Sequence, residues 1–291
     1  MVPNGVTGRL VADQLEVRPM ARAELGLALD WAADEGWNPG LNDARCFGAA
    51  DPDGFFVAEL DGEVVGSVSA VRYGSEFGFL GLYIVRSDLR GRRIGRRLWE
   101  TAMDRLGDRT AGLDGVPAQQ ENYERAGFRR AHSNVRYRGE RVAPRTTATP
   151  TEPLADVPFE QVAAYDRRVF GVDRAPFLKE WVSQPGGVGF ATVETGDVRG
   201  YGLMRPCRDG FKVGPLFADR SDSAEALFDD LVARAHGTPV YIDAPDANQA
   251  AVRIAERRGL VPVFHTARMY RGPVEPLDVD RVFGVTSLEL G

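Results

Sequence analysis

Cysteine and histidine are scarce in this chain. Its 291 residues include two cysteines, Cys46 and Cys207, and three histidines, His132, His236 and His265. The cysteines stand far apart, so a disulfide framework or a cysteine-rich metal site has no basis. No two histidines fall at metal-ligand spacing, so no metal is expected, and Ser-His-Asp chemistry has little material to draw on. Long apolar runs are missing as well. No segment approaches the roughly 20 apolar residues of a membrane helix, and no membrane partner is expected. The opening MVPNGVTGRLVADQ lacks the charged and apolar regions of a signal peptide, which predicts a cytoplasmic protein. Basic charge is not in excess either. Lysine and arginine number 36 against 42 acidic residues, a formal net charge of −6. Nucleic-acid binding needs a basic face, so no nucleic-acid partner is expected. A cationic small substrate suits this balance.

What the chain has is ordinary globular material, 43% apolar and 27% charged. Its length points to about two domains. A weak internal repeat supports that number. Asp61-Gly62 and Thr195-Gly196 each read as a tight hairpin turn between two strands, glycine supplying the positive φ. Gly127-Phe128 and Gly259-Leu260 each precede a strand, ending in Tyr137-Arg138-Gly139 and Tyr270-Arg271-Gly272. All three pairs are separated by about 133 residues. Between the copies, Pro144, Pro150, Pro153 and Pro158 punctuate a small-polar stretch without apolar periodicity, which reads as a linker. The expected division is 1–140, a linker at 141–153, and 154–291.

The first copy alternates helices and strands, so the class is α/β or α+β with a mixed sheet. A helix is expected from Ala23 to Ala33. Strands follow over Phe55 to Leu60, Val64 to Tyr73 and Phe77 to Val85. From Ile94, the apolar residues Leu98, Trp99, Ala102, Met103 and Leu106 recur at helical spacing. A short strand at Thr110, a helix around Gln119 to Arg125 and a final strand complete the unit.

The junction LYIVRSDLRGRRIGRRLW carries the chemistry. A helix start after a strand presents unpaired N–H groups and partial positive charge, a ready anion site. Arg90, Arg92, Arg93, Arg96 and Arg97 crowd it, with Gly91 and Gly95 among them. Glycine inside a helical run is costly, which argues against a plain solvated basic face. The pattern is neither a P-loop nor a Rossmann fingerprint. A pyrophosphate site fits.

Arg90-Gly91-Arg92-Arg93-Ile94-Gly95 resembles the coenzyme A loop of the GNAT (general N-acetyltransferase) superfamily. Arg93 stands where the family's first signature glycine falls. Tyr123-Glu124-Arg125-Ala126-Gly127-Phe128 resembles the family's Tyr-x-x-x-Gly-Phe ending, although Val116 takes the place of a frequent asparagine seven residues earlier. The resemblance spans residues 55 to 139. It implies two GNAT-like modules, each a mixed, mostly antiparallel sheet flanked by helices, and acetyl-CoA as cosubstrate. Main-chain amides of Tyr83, Ile84 and Val85 would hold pantetheine and the acyl carbonyl. Arg90, Gly91, Arg92, Arg93, Ile94, Gly95 and Arg96 would hold the pyrophosphate. Tyr123 would protonate the departing thiolate as general acid. An amine would attack the thioester directly, with Glu35, Glu76 and Asp114 as candidate bases. Ala33-Asp34-Glu35-Gly36-Trp37-Asn38-Pro39-Gly40 resembles an acceptor-side motif of tandem GNAT proteins, which makes Glu35, Trp37 and Asn38 candidate substrate contacts.

In the second copy, Asp219 and Asp222 occupy the place of the phosphate loop, and like charge would repel phosphate. Ala255 stands at the tyrosine position, while Asn248 keeps the asparagine place. A degenerate copy is expected, completing an acceptor cleft or stabilising the first. The leading expectation is N-acetyl transfer to a small-molecule amine. Acetylation of a protein or peptide amine, or non-catalytic acyl-CoA sensing, are the alternatives. The oligomeric state is left open.

Overall fold

The computed structural model describes residues 15–273 and 278–291. The opening fourteen residues, read above for a targeting signal, therefore lie outside the described residues. The first half runs β1 (Leu15–Pro19), α1 (Leu25–Asp34), α2 (Asp43–Ala50), β2 (Phe55–Leu60), β3 (Glu63–Tyr73), β4 (Phe77–Val85), α3 (Ile94–Leu106), β5 (Thr110–Gly115), α4 (Gln120–Arg125) and β6 (Arg129–Gly139). The second half repeats the order. It has β7 (Glu152–Pro153), α5 (Phe159–Phe170), α6 (Ala175–Val182), β8 (Val188–Glu194), β9 (Asp197–Pro206), β10 (Phe211–Ala218), α7 (Ser221–Ala233), β11 (Val240–Pro245), α8 (Gln249–Arg257) and β12 (Val261–Arg271), then β13 (Val282–Gly284).

The turns that signalled the repeat do what their chemistry dictates. Asp61 and Gly62 both take positive φ, as do Thr195 and Gly196, which closes the β2–β3 and β8–β9 hairpins with strand-compatible twist. The buried face of α3 is Ile94, Leu98, Ala102 and Leu106, one residue per turn. It covers one side of the first sheet together with Val68, Leu80 and Leu113. Helix α2 departs from the expected elements. Its segment DARCFGAA carries a glycine and no capping side chain, and it holds as a helix by burying Cys46 and Phe47, with Phe47 stacked on Trp181 of α6.

All strands form one mixed sheet in the order β1-β2-β3-β4-β5-β12-β6-β11-β10-β9-β8-β7, with β13 attached to β10. The centre of that order is an exchange. β12, from the second half, lies antiparallel between β5 and β6 of the first. β6 in turn pairs antiparallel with β11 of the second. Each half is thus completed by the other's last long strand. Among the described residues, no helix is long and apolar enough to cross a membrane.

Candidate active site

β4 and β5 run parallel only while Phe77 to Leu80 face Thr110 to Leu113. Beyond Leu80 they part. The β3–β4 register slips between Ser67 and Ser69, and opposite the slip Leu82 adopts φ +45°, a conformation that costs a leucine about 1 kcal/mol or more. The Ser67 hydroxyl steadies the bulge by donating to the Leu82 carbonyl at 2.8 Å. The edge of β4 from Gly81 to Val85 that faces β5 has no strand partner among the described residues. Buried backbone groups seek partners, so this edge is suited to a ligand with its own amides.

The parted strands open a cleft. One wall is aromatic. Tyr83, Trp99 and Tyr123 line it, with Tyr123 stacked on Trp99 at 5.5 Å between ring centroids and Tyr83 tilted against Trp99 at 5.9 Å. Burial raises the Tyr123 phenol well above its ordinary value, so it stays protonated at neutral pH and can act only as a donor of that proton. Burial also pushes Tyr83 up to about 12. The opposite wall is Trp37, Phe264, Thr266, Leu288 and Glu289. All of these except Trp37 come from the second half of the chain.

The arginine-rich loop joins β4 to α3, and its Gly95 lies against Tyr83 of the cleft wall. Gly91 takes φ +80° and Arg93 takes φ +64°, so Arg93 meets, at about 1 kcal/mol, the left-handed requirement a glycine would meet freely. α3 starts without any capping side chain, which leaves its first N–H groups unsatisfied. Arg92, Arg93 and Arg97 form no ion pair among the described residues, whereas Arg96 pairs with Glu100 at 2.8 Å. Ile94 is buried and anchors the helix. A side chain at Gly95 would stand 2.7 Å from the Tyr83 hydroxyl, so this glycine admits the aromatic wall against α3. An open strand edge, an uncapped helix start and unpaired guanidiniums together fit an amide-bearing, pyrophosphate-bearing molecule such as an acyl-CoA.

The candidate bases fall in different places. Glu35 pairs with Arg90, so one predicted acceptor residue and one predicted phosphate residue neutralise each other. Arg90 also donates to the Val85 carbonyl at 3.0 Å. Asp114 lines the cleft, but its carboxylate is taken up by Arg268 at 2.7 Å and by Asn134 and Thr266. Glu76 is exposed in the β3–β4 turn, at the opposite end of β4 from the bulge. At ~3.3 Å per residue, it stands some 20 Å from Leu82. Asn38 spends its amide on the backbone of Asp209, donating at 2.8 Å and accepting at 2.9 Å.

Trp37 is positioned by the second half. Its carbonyl accepts from Arg136 and, at 3.3 Å, from Lys212, whose ammonium also donates to the Asn38 carbonyl at 2.8 Å. Arg205 grips Asp43 at 2.9 Å, and Asp43 holds the Gly40 amide at 2.7 Å. The acceptor-side loop is therefore bolted to β9 and β10 by fully buried charges. Sequence reasoning did not single out Trp99, Phe264 or Glu289. Trp99 carried a usable signal, its place one residue off the buried stripe of α3. The others became neighbours of the cleft only through the strand exchange and the closing segment.

Asn248, which keeps the family's asparagine place, has another task. It caps α8 by accepting from the amides of Ala250 and Ala251 and donates to the carbonyls of Val279, Asp280 and Val282. It fastens the segment leading into β13.

Residues 23–128 match the family described as Acetyltransferase (GNAT) family, and residues 162–284 match the Acetyltransferase (GNAT) domain. The chain is 33% identical over 276 residues to a holothin acyltransferase of Pseudoalteromonas sp. (strain SANK 73390), with 94% of each chain covered. A putative acetyltransferase from Pyrococcus horikoshii superposes with a TM-score of 0.80 at 22% identity, covering 100% of this chain and 99% of that one. A tandem GNAT protein from the clavulanic acid biosynthesis pathway gives a TM-score of 0.62 at 17% identity, covering 90% of this chain and all of that one.

Proposed function

Since the chain belongs to the GNAT acyltransferase family and carries two GNAT domains, we propose that it transfers an acetyl group from acetyl-CoA directly to a primary amine of a small molecule. The parting of β4 from β5 carries this reading. It leaves a strand edge free where pantetheine amides can bond, between an uncapped arginine-rich helix start and the half-buried Tyr123.

In this reading, the α3 amides and the loop arginines take the pyrophosphate. The amides beyond the Leu82 bulge polarise the thioester carbonyl, a preorganised arrangement that needs no rearrangement during reaction. Tyr123 gives its proton to the sulfur that leaves. Trp37 and Phe264 flank the acceptor, which favours an amine with an apolar body. A wall supplied mostly by the second half faces the aromatic one, so the acceptor would sit in a two-sided cleft, which favours a small molecule over a protein chain.

Calorimetric titration of acetyl-CoA tests the reading. One site per chain is the expected result. Two sites would give the second half a binding role denied here, and no binding at millimolar ligand would overturn the proposal.

A further inference from the structure

The closing segment of the chain, Val282 to Gly291, runs from the second half into the cleft of the first. It pairs with β10 through β13, ties Val285 to the Asp243 carbonyl at 2.9 Å, and reaches β4. There the Glu289 backbone lies so close that a side chain on Gly81 would collide with its carbonyl oxygen. Tyr73 fixes the next residue by donating to the Leu290 carbonyl at 3.0 Å. Glu289 is thus held against the strand residue that precedes the Leu82 bulge, and both residues line the cleft.

The surroundings of this carboxylate are unusual. It is 4% exposed, yet it accepts no hydrogen bond and joins no ion pair among the described residues. Three buried cations and two other buried acids face it or its neighbours. Arg136 of β6 is committed to Asp243 of β11 at 2.6 Å, and Arg205 of β9 to Asp43 of α2 at 2.9 Å. Lys212 of β10 is spent on the carbonyls of Trp37 and Asn38. Glu289 and Lys212 therefore balance each other in charge without touching. A buried carboxylate normally finds a partner; this one has none among the described residues, in a residue that lines the cleft.

Resting on the acetyl-transfer reading, we infer that Glu289 is the general base that takes the proton from the attacking amine. With the acceptor bound as a neutral amine, the nitrogen lone pair forms the N–C bond as one N–H proton passes to the Glu289 carboxylate. The C–S bond breaks with its electron pair on sulfur, and sulfur takes the Tyr123 proton. Water returns a proton to Tyr123 and removes one from Glu289, so no atom or electron is unaccounted for. Burial raises the Glu289 carboxyl above its ordinary value, with Lys212 opposing and Asp43 adding to the shift. A base so tuned is more effective near neutral pH than a solvated glutamate.

The test compares wild type with Glu289→Gln, Glu289→Asp and Glu289→Ala, following thiol release from acetyl-CoA with benzylamine as the acceptor, from acid to neutral pH. Glu289→Gln is expected to lose about 10²- to 10⁴-fold in kcat with unchanged acetyl-CoA affinity, and to lose the acid limb of the profile. Glu289→Asp should keep a fraction of the rate and the limb, and added formate should partly restore Glu289→Ala. Glu289→Gln within a few-fold of a wild type that turns over, or with its acid limb intact, would overturn the role of Glu289 alone. A wild type that binds acetyl-CoA but shows no amine-dependent thiol release would overturn the amine-acceptor reading, and this inference with it.

Discussion

The two halves of the chain repeat one order of elements, but they treat the gap beside their central parallel strand differently. In the first half, β4 leaves β5 after Leu80 and its edge stays open. In the second, β10 leaves β11 after Val213, and β13 fills the gap by pairing at Leu216 and Phe217. The helix starts differ in the same sense. α3 begins with unpaired arginines. α7 begins beside Asp219, whose carboxylate is held by Arg168, Arg281 and the Tyr165 hydroxyl at 3.1–3.2 Å, while Asp222 accepts from the Ser223 amide at 2.8 Å. The second half supplies from its own chain a strand beside β10 and carboxylates beside α7, where, among the described residues, the first half has neither.

Five variants press on that contrast. The largest effect is expected for Tyr123→Phe, which should lower kcat about 10²-fold or more while acetyl-CoA affinity holds; stopped-flow thiol release and calorimetry separate the two. Arg90→Glu with Arg96→Glu should weaken acetyl-CoA binding at least about tenfold, roughly 1.4 kcal/mol, whereas Asp219→Lys should leave affinity unchanged. Equal losses from both changes would erase the distinction between the halves. Gly95→Ala drives a methyl toward the Tyr83 hydroxyl, and the displaced aromatic wall should cost about 1–3 kcal/mol of stability, read by denaturant titration, with a several-fold loss of rate. Asp219→Asn should have the smallest effect, about 1–2 kcal/mol in the same titration, with activity retained.

Much of this was legible in residue order. β2 and β4 begin and end where their apolar runs do, and α3 spans Ile94 to Leu106 as its periodicity predicts. Such elements are set by neighbours a few residues away. The arginine loop was legible for the same reason, since its glycines and charges are local. What depends on distant residues was not. Nothing near Arg129 or Val261 shows that each strand will join the other half's sheet. α2 has weak helical character and exists because α6 packs on it. Asp114 reads as a free acid until Arg268 arrives from 154 residues away. Glu289 sits in the short stretch SLELG, whose burial depends on Gly81 making room.

The exchanged strands also set a timetable for biosynthesis. When the ribosome has completed β6, the first half has its loop, its aromatic wall and its acidic partners, but β5 still lacks the neighbour on its far side. That neighbour, β12, spans residues 261 to 271. Until it emerges, β5 presents an unpaired edge, the kind of surface that invites association between nascent chains. The first half therefore completes its sheet only after nearly all of the second has been translated, so the second copy supplies a strand that the first needs, whatever else it does.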